Sequence, residues 1–403
     1  MTAARPNSAS NASGPLPGKV RSGSTFARMI TVDEFQQEVA AWLAENRDGA
    51  PHNYGPICPP DLIDAGLAWQ HRINEAGYAG VHWPVEHGGM GLTAEHNGVW
   101  LLECARAGVP PFLNMVGFVL AGGAIQRFGT PEQQAAHLRA TLATEHVWCQ
   151  LFSEPGAGSD LASLSTRADL DGDRYIINGQ KVWCSGGRYS NWGILMARTR
   201  PIDPTGEHGA PKHEGISFFL MPIDLPGVEV RPLKQMTGEA EFDEVFFTDV
   251  ALPADNLLGP VHGGWGVGMA VLTNERGHIG TSVISIERRL AQMTRLGGDR
   301  ELSAIERQRL ADLVSRGSAF KALAQRQGQV ASTAASLMKL GITDMTFDAE
   351  MLRGDLGGAD SMLLGSGADG MLGAPGGRIA GGTSQVQRNI IGERLLGLPR
   401  EPR

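Results

Sequence analysis

The spacing of apolar residues changes twice along this 403-residue chain, and this change constrains the fold more than any other feature. From Thr31 to about residue 145, apolar residues recur every three or four positions, as in helices that bury one face. The next hundred residues contain short β-prone runs separated by turn residues. Helical spacing returns after Asn256. The order of helix, strand and helix predicts an α+β chain.

We therefore predict three folded domains behind a tail. Residues 1–30 are rich in Ser, Ala, Gly and Pro, so they bury too little apolar surface to offset the entropy lost on ordering. We expect a flexible tail, although its basic, acid-poor composition is also similar to that of a transit peptide; it lacks the apolar region of a secretion signal. The predicted domains are a helical domain over 31–147, a β domain over 148–256 and a helical domain over 257–403.

Local signals support this division. Thr31 with Glu34, and Thr130 with Gln133, are typical of capping boxes that begin helices. Asp171-Gly172 and Asn178-Gly179 predict hairpin turns, and therefore an antiparallel middle domain built as a small barrel or sandwich. The predicted strands are 164–168, 174–177, 181–184, 193–198, 216–221, 228–231 and 244–247. The predicted helices are 62–75, 95–106, 115–128, 265–286, 304–329, 331–340 and one after residue 383.

Composition excludes several classes of protein. A net charge of -8 argues against a nucleic-acid binder, and no apolar run is long enough to span a bilayer. The four cysteines are far apart, which fits reduced thiols in a cytoplasmic protein better than disulfides or a metal site. We expect a soluble, cytoplasmic protein without a metal.

Two familiar motifs carry little weight. The run 365–370 matches G-x-G-x-x-G, but it follows a helical pattern rather than a strand, so we interpret it as a loop. S-x-x-K occurs at 318–321 and 336–339 without the accompanying S-D-N and K-T-G elements, and we interpret both as chance.

Two other segments predict a ligand site. Residues 148–160 (WCQLFSEPGAGSD) begin as a strand and end in a glycine-rich turn with hydroxyl and carboxylate groups. Such a turn is either an ordinary connection or a place where backbone amides approach a phosphate. Residues 180–187 (QKVWCSGG) place Trp183 two positions before Ser185. A Trp in this setting is either core or the wall of a site for a flat aromatic cofactor.

Together these motifs resemble those of the acyl-CoA dehydrogenase family. The runs E-P-G-A-G-S-D, N-G-Q-K-x-W and the closing G-T-S-Q-x-Q-R-N-I-I at 382–391 stand in the family's order and spacing, and the resemblance covers residues 31–400. It implies a helical N-terminal domain, a middle antiparallel β domain and a C-terminal four-helix bundle around FAD. It also implies that Ser159 contacts the CoA substrate and that an electron-transfer flavoprotein accepts the electrons. The residues it assigns to FAD are Gln150, Leu151, Phe152, Ser153, Gly158, Ser159, Trp183, Ser185, Gly382, Thr383, Ser384 and Gln385.

The catalytic base departs from the common family pattern. Desaturation next to a thioester carbonyl needs a desolvated carboxylate to remove the α-proton. Many family members place a Glu directly before G-T-S, where this chain has Gly381. A second location known in the family is the first long helix of the C-terminal domain, and there Glu275 lies at the edge of an apolar stripe traced by Met269, Leu272 and Ile279. By periodicity alone, Glu275 is either a surface neighbour of Arg276 or a buried base. Because Gly381 leaves the other location without a carboxylate, we predict Glu275 as the base, with Arg276 beside it at the substrate.

Two other functions stay open at this stage. A catalytically silent flavin-binding subunit would explain the missing Glu, and a flavin monooxygenase could share the fold. The oligomeric state stays open as well. In the family, two sequence elements hold the adenine end of FAD from a neighbouring subunit, and in this chain both elements lack their characteristic side chains. The stretch at 362–366 begins with Met362 instead of Gln. The chain is either a homo-oligomer, a dimer or tetramer, or it pairs with a related but non-identical subunit.

Overall fold

The computed structural model describes residues 30–52, 54–55, 57–113, 115–203, 205, 209–277, 291, 301–325, 334–363 and 367–399. The helices are α1 Val32–Asn46, α2 Ile63–Glu75, α3 Ala94–Ala107, α4 Gly122–Phe128, α5 Pro131–Leu142, α6 Gly264–Gly277, α7 Ala304–Gln325, α8 Ala334–Gly357, α9 Ala368–Ile379 and α10 Ser384–Ile390. The strands are β1 Trp148–Leu151, β2 Arg167–Asp171, β3 Arg174–Ser185, β4 Trp192–Arg198, β5 Ile216–Pro222, β6 Val228–Leu233 and β7 Phe242–Pro253.

The N-terminal helices begin where their caps predict. The Thr31 hydroxyl accepts the Glu34 N–H while the Glu34 carboxylate accepts the Thr31 N–H, and Thr130 and Gln133 form the same reciprocal pair at α5. The helices surround an aromatic core in which the rings of Tyr78 and Trp100 stack at 5.1 Å. Both capping-box predictions are confirmed.

A π-helix replaces the first half of the helix predicted over 115–128. Val116–Ala121 is wholly buried and continues into α4. A Cβ at Gly122 would lie 2.4 Å from the ring of Trp83, so only glycine lets the backbone approach that ring. π-helical turns are frequent at functional sites. This one packs against α6.

The middle domain is one seven-stranded sheet in the order β1-β4-β2-β3-β7-β6, with β5 paired to β4. Most of its pairings are antiparallel, as predicted, but β4 runs parallel to both β1 and β2. The Asp171-Gly172 turn is confirmed, because Asp171 pairs with Arg174 across a two-residue hairpin.

The second predicted hairpin is wrong. Asn178 and Gly179 lie inside the continuous strand β3, at a bulge opposite β7. The Asn178 side chain exchanges two hydrogen bonds of 3.0 Å with Asp249 on β7 instead of closing a turn. Gly179 has a φ of 151°, and a Cβ there would lie 2.5 Å from the Thr166 hydroxyl. Asn178-Gly179 therefore lets β3 pack closely against the backbone around Thr166 and pair with β7, instead of turning the chain.

The C-terminal helices differ from the predicted ones in length. Helix α8 extends to Gly357, well beyond the predicted end at residue 340, and α9 contains residues 368–370 of the run that we interpreted as a loop. Helix α9 holds four glycines and Pro375, which local propensity disfavours, so its packing against α8 stabilises it. The predicted tail up to residue 29 and the predicted helical residues 278–286, 326–329 and 331–333 lie outside the described residues.

Within the described ranges no helix is both long and apolar enough to cross a bilayer. All four cysteines are free and buried. Burial raises the pKa of Cys58 to about 11 and that of Cys149 to about 12, and it raises the thiol pKa of Cys104 and Cys184 well above the ordinary value.

Candidate functional site

The two segments singled out in the sequence lie side by side in the structure. Residues 152–160 follow β1, and residues 181–187 close β3; together we call them the β cradle. The Val182 N–H donates to the Ser153 carbonyl at 2.9 Å, which joins the segments. Glu154 and Ala157 exchange backbone hydrogen bonds of 3.0 Å around Pro155-Gly156, so the glycine-rich turn is tight. A Cβ at Gly156 or Gly158 would meet nothing, so this turn borders open space.

A buried ion pair between Lys181 and Glu154 anchors the β cradle. Lys181 Nζ lies 2.8 Å from Glu154 Oε1 and 3.0 Å from the Phe152 carbonyl, and the lysine side chain is fully buried. The Glu154 carboxylate also accepts the Ser165 N–H and hydroxyl and the Thr166 N–H. Burial by itself would raise the pKa of Glu154, but the Lys181 charge and these donors hold the pKa at about 2.

Trp183 adopts a conformation that is rare for a large aromatic residue. Its φ is 61°, it lies in a register shift between Lys181 and Cys184, and 55% of its surface is exposed. Its ring contacts Phe242 edge to face at 5.7 Å. Strained backbone at an exposed aromatic residue is typical of a ligand-binding position. The interpretation of Trp183 as ordinary core is therefore wrong.

The loop after Trp183 is also fixed. Gly186 has a φ of 66°, and a Cβ there would lie 2.4 Å from the Tyr189 ring. The Arg188 guanidinium pairs with the buried Asp243 carboxylate at 2.7 Å, and the Arg188 N–H donates to the same carboxylate at 2.9 Å. These contacts hold Ser185 in place beside Trp183.

The other predicted cofactor residues are distributed on both sides of the sheet. Leu151 is fully buried in the core shared by β1, β3 and β5, whereas Phe152 packs on the opposite side against Phe218. Gln150 is half-buried on β1, and Ser159 is exposed on the glycine-rich turn. Leu151 therefore supports the β cradle from the core.

Gly382, Thr383, Ser384 and Gln385 form a separate cluster, the C-terminal turn, which we define as residues 381–385, from the connection after α9 into the first turn of α10. Thr383 caps α10 by accepting the Val386 N–H, Ser384 is buried, and Gln385 is exposed. Among the described residues no hydrogen bond or ring contact connects this turn with Ser153 or Trp183. Helix α9 does approach the middle domain, since a Cβ at Gly373 would lie 3.8 Å from the Thr237 methyl group.

Helix α6 carries positions 275 and 276 within its bounds, although the side chains of Glu275 and Arg276 lie outside the described part of the structure. The buried stripe of α6 contains Gly264, Val267, Gly268 and Val271, whereas Met269 and Leu272 are half-buried. The stripe therefore differs from the predicted one. Position 275 is four residues after Val271 along α6.

Four functional candidates were missed by sequence reasoning. Glu154 and Lys181 stood in the quoted motifs without a role, and only their spatial pairing reveals one. Gln387 and Lys339 hold the C-terminal turn, as described below. Gln387 stands inside the G-T-S-Q-x-Q run, which was a usable signal, whereas Lys339 lies in an S-x-x-K match that sequence gives no reason to prefer.

Comparison with known proteins decides the family. The model of the acyl-CoA dehydrogenase N-terminal domain matches residues 31–145, that of the middle domain residues 149–250, and that of the C-terminal domain residues 262–396. The chain belongs to the acyl-CoA dehydrogenase family. Acyl-CoA dehydrogenases are oxidoreductases, and membership implies a flavin cofactor.

Individual known proteins are similar to this chain over nearly its whole length. Acyl-CoA dehydrogenase IpdE1 of Mycobacterium tuberculosis is 38% identical over 392 residues, covering 93% of this chain and 99% of the relative. The Tcur3481-Tcur3483 steroid ACAD has a TM-score of 0.76 at 25% identity, over 92% of this chain and 98% of that one. The ChsE4-ChsE5 complex from Mycobacterium tuberculosis has a TM-score of 0.73 at 26% identity, over 94% and 100%.

Proposed function

We propose that this chain is an FAD-dependent acyl-CoA dehydrogenase that introduces a double bond between the α and β carbons of a CoA thioester. The observation that carries the proposal is Trp183, an exposed aromatic ring on a left-handed backbone beside a fixed loop. We also propose the domain boundaries 31–147, 148–256 and 257–403 for this enzyme.

The β cradle has the features that a flat, phosphorylated cofactor needs. Trp183 offers an aromatic face for a tricyclic ring, and the half-buried Ser153 and Ser185 offer hydroxyls for hydrogen bonds to the ring edge. The open turn at Gly156 and Gly158 leaves room for backbone amides to approach a phosphate. We propose that Gln150, Phe152, Gly158 and the C-terminal turn complete the FAD site, with Leu151 supporting it from the core.

Glu275 is the proposed catalytic base. Helix α6 buries Val267 and Val271, and a position four residues further along a helix shares their face. We infer from this that the Glu275 carboxylate is desolvated, which would make it a stronger base for a weakly acidic α-proton. Bound FAD supplies the acceptor for the hydride from the β carbon. Arg276 and Ser159 are the proposed contacts to the CoA thioester.

We propose a bulky, ring-bearing acyl group as the substrate class. The steroid ACAD with which this chain shares its fold over 92% of its length supports that choice. Within the glycine-rich stretch 354–382, the later glycines of α9 also support it, because an added Cβ at Gly373 or Gly377 would meet only a methyl group at 3.8 or 4.0 Å. At Gly376 an added Cβ would meet nothing within 4 Å.

We further propose that the chain works with a related, non-identical subunit. Two of the similar structures carry paired names, Tcur3481-Tcur3483 and ChsE4-ChsE5. Met362 is 81% exposed at the position where many relatives have a Gln that reaches FAD in a neighbouring subunit, and a thioether cannot replace that amide. Light scattering with flavin quantitation on the chain expressed alone tests this. A stable, fully active homo-oligomer with one FAD per chain would contradict it.

Anaerobic titration with a panel of acyl-CoA thioesters tests the proposed reaction. We expect a yellow protein whose flavin absorbance is bleached by ring-bearing thioesters more readily than by straight-chain ones, and reoxidised by an electron-transfer flavoprotein. A colourless protein that gains no flavin absorbance with added FAD would contradict the cofactor. A flavin that stays oxidised with every thioester would contradict the desaturation and would favour the silent-subunit or monooxygenase alternative.

A further inference from the structure

The C-terminal turn has an unusual backbone. Gly381 and Gly382 both have positive φ values, 63° and 90°, and lie directly before the helix cap at Thr383. Two consecutive left-handed residues reverse the chain within a very short distance, which glycine allows without strain. The turn therefore needs outside contacts to hold one orientation.

Two side chains supply these contacts. Lys339 Nζ on α8 donates to the Gly382 carbonyl at 2.6 Å. Gln387 Nε2 donates to the Gly381 carbonyl at 3.0 Å and to the Gly382 carbonyl at 3.5 Å. Gln387 is fully buried, and a Cβ at Gly382 would lie 2.7 Å from its amide nitrogen. Both carbonyls of the turn therefore point towards these two side chains.

The direction of the carbonyls fixes the direction of the neighbouring N–H groups. In a trans peptide the C=O and the following N–H point in opposite directions, and the structure contains no cis peptide among its described residues. The Gly382 and Thr383 N–H groups consequently point away from Lys339 and Gln387. Rotation of either peptide would exchange a donor for an acceptor on that face of the turn.

We propose that Lys339 and Gln387 are positioning residues, which act on catalysis by holding the Gly381–Thr383 turn so that it presents N–H donors to the reaction site. This inference rests on the proposed function, because it assumes that the turn faces the cofactor and the thioester. It assigns a role to Lys339, which lies 43 residues from its acceptor in sequence, on a different helix.

The first experiment compares two lysines in the same sequence motif. Lys339→Met removes the donor and keeps most of the side-chain volume, and Lys321→Met does the same at an exposed lysine of the other S-x-x-K match. We expect Lys339→Met to lower kcat about 10- to 100-fold, because small displacements of reacting groups have effects of that size. We expect KM to change less than about threefold, a shift in the visible spectrum of the bound flavin, and wild-type behaviour in Lys321→Met. Lys339→Arg, which keeps a cationic donor, should recover part of kcat.

A second variant covers the case in which Lys339→Met fails to fold. Gln387→Glu keeps the size and shape of the side chain but replaces the amide donor with an oxygen that only accepts when ionised. We expect the same loss of kcat and the same spectral shift in the full-length holoenzyme.

The outcomes separate the two proposals. Wild-type kcat and spectrum in both variants would overturn the positioning role and leave the proposed function intact. If both variants lowered kcat only in proportion to lost folded protein, with an unchanged spectrum, the residues would be merely structural and the inference would again fail. A wild type that binds no flavin would overturn both proposals. A wild type that binds flavin without desaturating any thioester would overturn the function alone, and the spectral shift would still decide the positioning role.

Discussion

The two sides of the proposed site are held by different chemistry. In the β cradle, the Glu154 carboxylate is buried with Lys181 and accepts hydrogen bonds from Ser165 and Thr166. In the C-terminal turn, the anchored groups are two neutral carbonyls, and the donors are one lysine and one amide. A buried charge left without its partner is very unfavourable, whereas a carbonyl that loses a donor costs far less. We therefore expect the β cradle to be the stiffer side, which retains the cofactor, and the C-terminal turn to be the more adjustable side, which affects turnover.

The largest effect we expect is slower flavin reduction in a variant that still binds FAD. Glu275→Gln should leave FAD bound and lower the rate of flavin reduction about 10²- to 10⁴-fold, because it removes the proposed general base and keeps its shape. Anaerobic stopped-flow reduction by an acyl-CoA measures this rate, with Glu301→Gln, an exposed position, as the control. Near wild-type reduction in Glu275→Gln would mean that another carboxylate is the base.

A second variant tests whether a base can act from position 381, where many family members have their Glu. Gly381→Glu in the Glu275→Gln background should recover part of the rate. The recovery should be small, because a φ of 63° strains any residue with a Cβ by about 1–2 kcal/mol. No recovery at all, with FAD still bound, would indicate that the C-terminal turn cannot place a base.

The next largest effect concerns the stability of the β cradle. Lys181→Met leaves the Glu154 carboxylate buried without its ion-pair partner, so we expect a loss of about 3–5 kcal/mol in the free energy of unfolding and release of FAD. Lys212→Met is the matched control, since it breaks an exposed ion pair with Asp160, which should contribute about 0–1 kcal/mol. Urea unfolding and flavin fluorescence measure both. Equal stabilities of the two variants would contradict a stiff β cradle.

Low pH should also destabilise the β cradle, because it protonates the Glu154 carboxylate. The pKa of Glu154 is about 2 in the folded chain against an ordinary value of 4.5. A folded-state pKa below the unfolded value stabilises the fold above pH 4.5, and this stabilisation is lost as the pH falls from 4.5 towards 2. The loss amounts to about 3 kcal/mol. Glu154→Gln should remove this part of the pH dependence of unfolding, and an unchanged acid profile in that variant would show that other carboxylates account for it.

The smallest expected effect isolates the strained backbone at Trp183. Alanine is normally preferred over glycine within a strand, but at a φ of 61° the order should reverse. We expect Trp183→Gly to be more stable than Trp183→Ala by about 1 kcal/mol in the protein without flavin. Both variants should bind FAD about tenfold more weakly than the wild type. A thermal melt resolves the first difference and a flavin titration the second, and a more stable Trp183→Ala would contradict the strain.

Sequence was informative where the deciding contacts are local. The capping boxes at Thr31 and Thr130 connect residues three positions apart, and both were predicted correctly. The Asn178-Gly179 turn was predicted wrongly because pairing with β7, some seventy residues later, overrides the local preference. Helix α9 escaped prediction for a related reason, since its glycines and Pro375 are tolerated only when packed on α8.

The candidate site follows the same rule. Motif order singled out the segments around Ser153 and Trp183, but no pattern states that Glu154 and Lys181 form a buried pair or that Trp183 has a left-handed backbone. Those facts depend on how two strands meet in three dimensions. The contact made by Lys339 is the hardest to predict. Its acceptor is the backbone carbonyl of Gly382, and because every residue has such a carbonyl, the sequence does not show which one accepts the hydrogen bond.

Because all four cysteines are buried, none of them exposes a reactive thiol on the surface of the native chain. A thiol whose pKa is about 11 or higher carries almost no thiolate at neutral pH, and burial adds a steric barrier to maleimides and iodoacetamide. A single cysteine introduced at an exposed position such as Met362 would then be the only reactive thiol among the described residues. The wild-type sequence is therefore already suited to attaching one fluorophore or spin label and following subunit association in solution.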